Sequence, residues 1–396
     1  MMGSAVLAHG PRSAGHARSP WDLPLLLTVL ALTLLGIVMV YSASITTSAR
    51  ATGNGAHFLF RHLVAVGGGL ALAWIVAQSR AQWWERAGPY LLFVGLLLLM
   101  AVLVPGVGAR VNGSARWLPL GIVNLQPSEL MKLVMVVYVA GYLVRRQDEL
   151  RSFTKGILMV SIVVAIVGML LLQEPDLGSA VVICLTVLGM LFLGGVRFWH
   201  FAVVVGAGIG GMVLLTLMAP YRMARITGFL DPWADPFNTG FQLTQALIAF
   251  GRGEWFGVGL GASVQKLFYL PAAHTDFLVA VIAEELGLFA MLALIAAFAF
   301  IVYRAFAIAA AAERAGNLYS ARLAYGLGLL LGFQAIINLG VNMGVLPTKG
   351  LTLPFVSYGG SSMIGNSIAV GLLLMIARES APSNRNTYMP ALRRHA

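Results

Sequence analysis

The sequence predicts an all-α, polytopic integral membrane protein with ten transmembrane helices, and three observations carry that reading. Hydrophobic residues make up 59% of the 396 and charged residues 10%, with a mean hydropathy of +0.85, too apolar a balance for a water-soluble chain of this length. Apolar runs of the ~17–25 residues that a hydrocarbon core requires recur along nearly the whole sequence. The basic residues behind the net charge of +11 lie in short loops between those runs rather than in a patch interleaved with aromatics, which is the pattern of membrane topology and not of nucleic-acid binding.

Residues 1–20 are polar, basic and rich in small side chains, and read as a disordered cytoplasmic tail. The apolar stretch after them, about 22–41, is longer than the ~7–15 residues of a signal-peptide core, so it reads as an uncleaved first span placed at 22–44. Pro, Gly and polar punctuation then delimits runs at 58–78, 88–104, 129–145, 156–173, 178–195, 198–219, 276–305, 322–346 and 360–378. An even count puts both termini on one side. Assigning the tails and alternate loops to the cytoplasm collects most of the 26 Lys and Arg there, with Arg145, Arg146 and Arg151 as the strongest anchor, so both termini are expected inside. Residues 21–378 are thus one membrane domain, followed by a cytoplasmic tail at 379–396.

One connection is long. Residues 220–275, expected between helices 7 and 8 on the extracytoplasmic face, exceed what a simple turn needs. Leu243, Leu247 and Phe250 fall at i, i+4 and i+7, which predicts an amphipathic helix lying along the outer membrane surface. The glycines of GRGEWFGVGLGAS (251–263) lack the strand and helix that make a nucleotide loop, and read as a flexible loop. Cys184 is the one cysteine and lies in an apolar run, which leaves no disulfide framework or Cys metal site. HExxH, Walker and D-x-D motifs are absent from the sequence.

Polar residues at membrane depth are the functional candidates, because ionisable groups there are costly. In YLPAAHTDFLVAVIAEELG (269–287), Asp276 stands where the long loop meets a span. There it serves either as a helix cap or as a general base whose acidity is weakened by partial desolvation. Glu284 and Glu285, two to three turns further along, read as structural ion-pair partners of a neighbouring helix. In QEPDLGSA (173–180), Asp176 reads as the cap of a restarting helix after Pro175. In NGSARWLPLGIVNLQPSELMKL (112–133), Ser128 reads as an N-cap, and Glu129 and Lys132 share one helix face. Lys132 is left open between a carboxylate partner, Glu129 or Asp176, and an anionic ligand. PTKGLTLPFVSYGGSS (347–362) places irregular backbone at membrane depth, tolerated only where it is buried or lines a wet cavity. The cavity reading makes Lys349 a phosphate-facing cation.

Together RWLPLGIVNLQPSELMKL, QEPDLGSA, FQLTQALIAFGRGEWFGVGLG, VQKLFYLPAAHTDFLVAVIAEELG and LPTKGLTLPFVSYGGSS resemble the SEDS (FtsW/RodA/SpoVE) family of peptidoglycan glycosyltransferases. The resemblance covers residues 21–378, and QLTQALIAFGRGEW and VQKLFYLP are closer to its cell-division branch than to its elongation branch. It implies an enzyme of the bacterial cytoplasmic (inner) membrane, acting at the division septum, that polymerises lipid II into glycan strands at the outer face. The family's essential aspartate falls on Asp276, and other polar positions of the family fall on Arg61, Glu129, Lys132, Asp176 and Lys349. This chain has Ala272 where many relatives have Glu, and Ala262 where Asn is common. The implied partners are a class B penicillin-binding protein (an FtsI-like transpeptidase), divisome activators and membrane lipid.

That chemistry needs a base for the acceptor hydroxyl and cations for the departing pyrophosphate. Asp276 is the expected base. Arg61, Lys132, Lys266 and Lys349 are the outer-face cations, among which the sequence does not choose, and a divalent cation (Mg2+ or Mn2+) would share their task. Two other functions suit polar residues in a helical bundle: a lipid II flippase, and a non-catalytic divisome scaffold that activates a transpeptidase.

Overall fold

The computed structural model describes residues 21–381, except 112, 113, 120–123, 219, 268 and 349. The described chain forms α1 (Leu23–Thr52), α2 (His57–Gln78), α3 (Ala81–Leu103), a small sheet of β1 (Ala109–Val111), β2 (Ser114–Pro119) and β3 (Asn124–Leu125), then α4 (Pro127–Arg145), α5 (Met159–Gln173), α6 (Leu177–Leu193) and α7 (Phe198–Leu217). It continues through α8 (Pro220–Leu230), α9 (Phe241–Gly253), α10 (Leu278–Arg314), α11 (Leu318–Asn342) and α12 (Gly360–Ser380). Ten of these helices coincide with the ten predicted runs. Eight are long and apolar enough to cross a membrane, while α6 and the apolar described part of α7 are shorter. The tails at 1–20 and 382–396 lie outside the described residues.

Helices α4, α11 and α12 form the centre. Between 72% and 78% of their most apolar windows is buried inside the protein, against 28% for α2, α3, α5 and α10, so the latter present most of their apolar surface outward, as lipid-facing helices do. Several predicted boundaries shift: α1 runs on to Thr52 and α10 to Arg314, eight and nine residues beyond the predicted 44 and 305. The third helix begins at Ala81 and runs through Pro89 because AQWWERAG adds two amphipathic turns before the apolar run. The predicted 322–346 helix begins at Leu318 and ends at Asn342.

Arginine contacts gather helix ends at one face. Arg304 of α10 grips Asp22, the N-cap of α1, at 2.5 and 3.2 Å. Arg378 of α12 donates to the carbonyls of Gln78 and Ser79, at 3.3 and 2.9 Å. The start of α1, the α2–α3 turn and the end of α12 therefore share one face, the one assigned to the cytoplasm by charge. Ser42, twenty residues up α1, lies about 30 Å away by helical rise, at the far edge of a hydrocarbon core.

α10 is interrupted there. Gly287 takes φ +74° and ψ −170°, and a Cβ at this position would stand 2.3 Å from the Gly257 nitrogen. The break frees backbone groups that must be satisfied elsewhere. Residues 254–259 do so: Val258 and Gly259 donate to the carbonyls of Glu284 and Glu285 at 2.9 and 3.0 Å, and Leu288 and Phe289 donate to those of Glu254 and Trp255 at 2.9 and 3.3 Å. The glycine-rich segment is thus a docked strand-like piece rather than the flexible loop expected from its composition. The predicted amphipathic helix is α9, and its buried face, Leu243, Thr244, Ala246, Ala249 and Gly253, packs on α10. Its small side chains permit that close approach.

Candidate active site

Asp276 sits in the turn just before α10, half-buried. Two asparagines of α11 fix its backbone: Asn338 and Asn342 donate from Nδ2 to the Asp276 carbonyl at 3.1 and 3.0 Å. Asn338 also donates to the Leu351 carbonyl, and Asn342 accepts from the Ala280 nitrogen at 3.3 Å. The N-cap position of α10 belongs to Phe277, with no side-chain cap, so the Asp276 carboxylate is not spent on capping. Its Oδ2 faces the backbone of Gly350, where an added Cβ would approach to 2.9 Å. Glycine is what lets the 350–359 segment come this near.

The electrostatics identify the neighbours. Burial pushes the Asp276 carboxyl up to about 7, Arg116 opposes that rise, and the negative charges of Asp176 and Glu129 add to it. Asp176 is the N-cap of α6, accepting from the Ser179 nitrogen at 3.2 Å and the Ser179 hydroxyl at 2.9 Å. It also accepts from Ser128 Oγ at 2.7 Å and Gln126 Nε2 at 3.4 Å, so one buried carboxylate joins the starts of α4 and α6. Ser128 therefore spends its hydroxyl on Asp176 instead of capping α4, whose N-cap position Gln126 occupies. Lys132 resolves to Glu129, at 2.8 Å with both side chains buried.

Two residues that the sequence reading did not select complete this cluster. Arg116, on β2, donates from Nε to the Glu174 carbonyl at 2.9 Å and from Nη2 to the Pro175 carbonyl. Glu174 is fully buried in the α5–α6 turn, and neither of its carboxyl oxygens has a hydrogen-bond partner among the described residues. Burial pushes it up to about 8, with Asp176 adding and Arg116 opposing. In the sequence the only signal was a carboxylate before Pro175; the partner is 58 residues away.

Rings cover the other side. Phe58 of α2, His274 and Tyr358 lie with centroids 5.0–5.6 Å apart, and the Tyr358 nitrogen donates to the His274 carbonyl at 3.0 Å. Arg61 is exposed on α2 near enough for its charge to act on the Tyr358 phenol. The 351–359 segment is irregular, as expected, but Leu351, Leu353, Phe355 and Val356 are buried in protein, so packing, not solvent, accommodates its backbone.

Lys266 belongs to a different cluster. It pairs with Glu285 at 2.7 Å and donates to Ser42 at 2.9 Å, while Glu284 pairs with Arg252 at 2.7 Å and accepts from Ser263 Oγ at 2.5 Å. The two glutamates are thus in ion pairs as expected, but with α9 and the outer loop, at the outer edge beside Ser42. Lys349 lies outside the described residues. No three His, Cys, Asp or Glu side chains converge as metal ligands among the described residues, and the Glu129 and Asp176 carboxylates are already satisfied by Lys132, Ser128 and Ser179. This donor set does not fit a divalent ion.

Residues 23–382 match the family model FTSW_RODA_SPOVE, described as "Cell cycle protein". A "Probable peptidoglycan glycosyltransferase FtsW" of Nitrosococcus halophilus is 56% identical over 369 residues, covering 93% of this chain and 95% of that protein. The protein of the same description from Coxiella burnetii is 51% identical over 360 residues, covering 91% and 97%. Among solved structures, a chain from "Structural coordination of polymerization and crosslinking by a peptidoglycan synthase complex" superposes with a TM-score of 0.75 at 31% identity, covering 92% of this chain and 99% of that one. The rod shape determining protein RodA of Thermus thermophilus superposes with a TM-score of 0.66 at 27% identity, covering 92% and 98%.

Proposed function

This chain belongs to the FtsW/RodA/SpoVE family of cell cycle proteins, and from that premise we propose that it is a peptidoglycan glycosyltransferase. It polymerises lipid II at the outer face of the bacterial inner membrane during septal wall synthesis. The observation that carries the reading is Asp276: a half-buried carboxylate whose backbone is fixed by Asn338 and Asn342, whose side chain makes no hydrogen bond among the described residues, and whose acidity burial shifts to about 7. A general base works best with acidity near the operating pH.

In the proposed step the acceptor sugar hydroxyl attacks the anomeric carbon of the donor. Its proton passes to Asp276, and the bond from that carbon to the pyrophosphate oxygen breaks, the electron pair leaving with the undecaprenyl pyrophosphate. Arg61 at the exposed rim, and Lys349, which precedes Gly350 in sequence, are the cations proposed for that leaving group. Lys132 and Lys266 already neutralise Glu129 and Glu285, so their proposed part is to hold the frame. Glu129 and Asp176 shape the field in which Asp276 titrates. The likeness to a chain of a peptidoglycan synthase complex supports a class B penicillin-binding protein as partner, with divisome activators around the pair.

Purified protein with its cognate partner, given labelled lipid II in detergent and, separately, in vesicles, tests this reading. Glycan polymer in detergent is expected. Lipid movement across vesicles without polymer would replace the reading by a flippase, and neither product by a scaffold.

A further inference from the structure

We propose that a slot between α1, α2 and α12 holds one acyl chain of an anionic phospholipid whose headgroup rests on Arg378. The slot has a volume of about 170 Å3, and an apolar cavity of ~150 Å3 already takes up a hydrocarbon such as benzene. Val29 of α1, Ala73 of α2, and Met363 and Val370 of α12 form its walls. Among the described residues only Thr33 and Ser367 bring hydroxyls to it, and the Thr33 hydroxyl is spent on the Val29 carbonyl at 2.8 Å. An ordered water needs several polar partners, which this lining does not supply. The slot suits hydrocarbon.

Its position selects the occupant. Leu23, Leu70 and Trp74 stand on its rim and are 48%, 37% and 59% exposed, so the slot opens sideways onto the surface that α1 and α2 present to lipid. Trp21, which also lines it, stacks on Trp74 with ring centroids 5.4 Å apart, an amphipathic pair of the kind found at headgroup level. Met363, deep in the slot, lies about 22 Å from Arg378 along α12 by helical rise, less than a whole ~30 Å hydrocarbon core. The slot therefore fits a chain from the leaflet at the Arg378 face. The Arg378 guanidinium lies 5.9 Å from the centroid of the Trp21 ring, at the mouth. Its Nη2 donates to the Gln78 and Ser79 carbonyls, while Nε and Nη1 have no hydrogen-bond partner among the described residues. The neighbouring carboxylates are engaged elsewhere, Asp22 by Arg304 and Glu379 by the Ala81 nitrogen at 3.3 Å. A lipid phosphodiester supplies the missing acceptor, and a net negative headgroup suits Arg378 better than a zwitterion that brings its own cation. Phe355, itself buried, lines the slot, and Gly36 lets its backbone come close, since a Cβ there would stand 2.7 Å from the Phe355 carbonyl oxygen. The chain thus lies under the 350–359 segment, which meets Asp276 at Gly350.

The test places the full-length protein in nanodiscs containing phosphatidylglycerol with a diazirine in the distal half of one acyl chain, and maps the photolabelled residues. Met363 and Val370, buried yet lining the slot, are the expected labels, whereas lipid that merely surrounds the protein reaches exposed residues such as Leu63 and Ile75. Ala73→Phe, which fills the slot, is expected to lower the Met363 and Val370 labels about tenfold while those at Leu63 and Ile75 persist. Arg378→Gln, or the same diazirine chain on phosphatidylcholine, is expected to lower them about fivefold. Wild-type labels confined to exposed residues overturn the inference, and that result is read whether or not the variants fold. Equal buried labelling by the two headgroups, or in Arg378→Gln, overturns the anionic lipid as occupant. Loss of the buried labels on adding undecaprenyl phosphate would give the slot to an isoprenyl chain and overturn it as well. Labelling involves no turnover, so the outcome is independent of the glycosyltransferase reading.

Discussion

At the scale of single residues, the site is a set of acids held in unlike states by unlike surroundings. Among the described residues Asp176 has four donors around it, whereas Glu174, two residues earlier, has none. The stability consequence follows from linkage. Glu174 has its folded value raised from 4.5 to about 8, so its contribution is fully present below about 4.5 and is lost as pH rises through about 8. Glu174→Gln should therefore match the wild type in thermal unfolding near pH 5 and exceed it by several degrees near pH 8.5. Equal midpoints at both values would show that the carboxyl is not neutral when folded. Asn342→Leu removes a donor from the Asp276 carbonyl, and should lower the polymerisation rate by about 10–100-fold with little change in substrate affinity, since a displaced base loses orientation. A pure affinity loss would contradict this positioning role. Much of this chemistry was legible in the sequence. Glu129 was one of the partners that helical spacing offered Lys132, and Asp176 caps α6 where Pro175 forces a restart. Arg116 and Glu174 were not legible, because Arg116 binds backbone carbonyls, which carry no residue signature, and a buried neutral acid looks like any other glutamate.

At the scale of elements, the break in α10 organises the outer face. Residues 278–286 form a short buried helix behind Asp276, separated at Gly287 from the membrane-crossing remainder, and the 254–259 segment fills the gap. Gly287→Ala places a Cβ where Gly257, Trp255 and Phe256 already stand, in a backbone conformation that L residues resist. It should lower the unfolding midpoint by the equivalent of roughly 3 kcal/mol or more, measured as detergent-solubilised melting. An unaltered midpoint would mean that the break can close. Lys266→Met strands Glu285 in a site with no solvent, at a cost of about 3–5 kcal/mol, and adding Glu285→Gln should recover most of it. Failure of the double variant to recover would assign Lys266 a role beyond charge balance. Hydropathy located the helix but not its break: one glycine among apolar residues reads as continuous helix until its partner segment is seen. The same partner turns GRGEWFGVGLGAS from an apparent loop into a docked element.

At the scale of the whole molecule, apolar periodicity was sufficient to find every predicted run as a helix, because burial in lipid and burial in the central α4, α11 and α12 both demand unbroken apolar sequence. The small sheet at 109–125 was not legible, since its strands, two to six residues long, are too short to show an alternating pattern. The Arg304–Asp22 ion pair and the hydrogen bond from Arg378 to the Ser79 carbonyl tie helix ends of one face together, and which side that face meets is for experiment to decide. With Cys184 replaced by Ser, a cysteine introduced at Trp255 should react with an impermeant maleimide in intact spheroplasts, and one at Asp148 only after lysis. The reverse pattern would invert the topology and put Asp276 on the wrong side for lipid II of the outer leaflet. The central claim is that this fold holds Asp276 as the base of glycan polymerisation, and the most direct measurement is the initial rate of polymer formation from labelled lipid II by the complex carrying wild-type protein or Asp276→Asn. The account predicts a loss of about 100-fold or more, with the variant folded and partner-bound. Polymer from Asp276→Asn at the wild-type rate would contradict it.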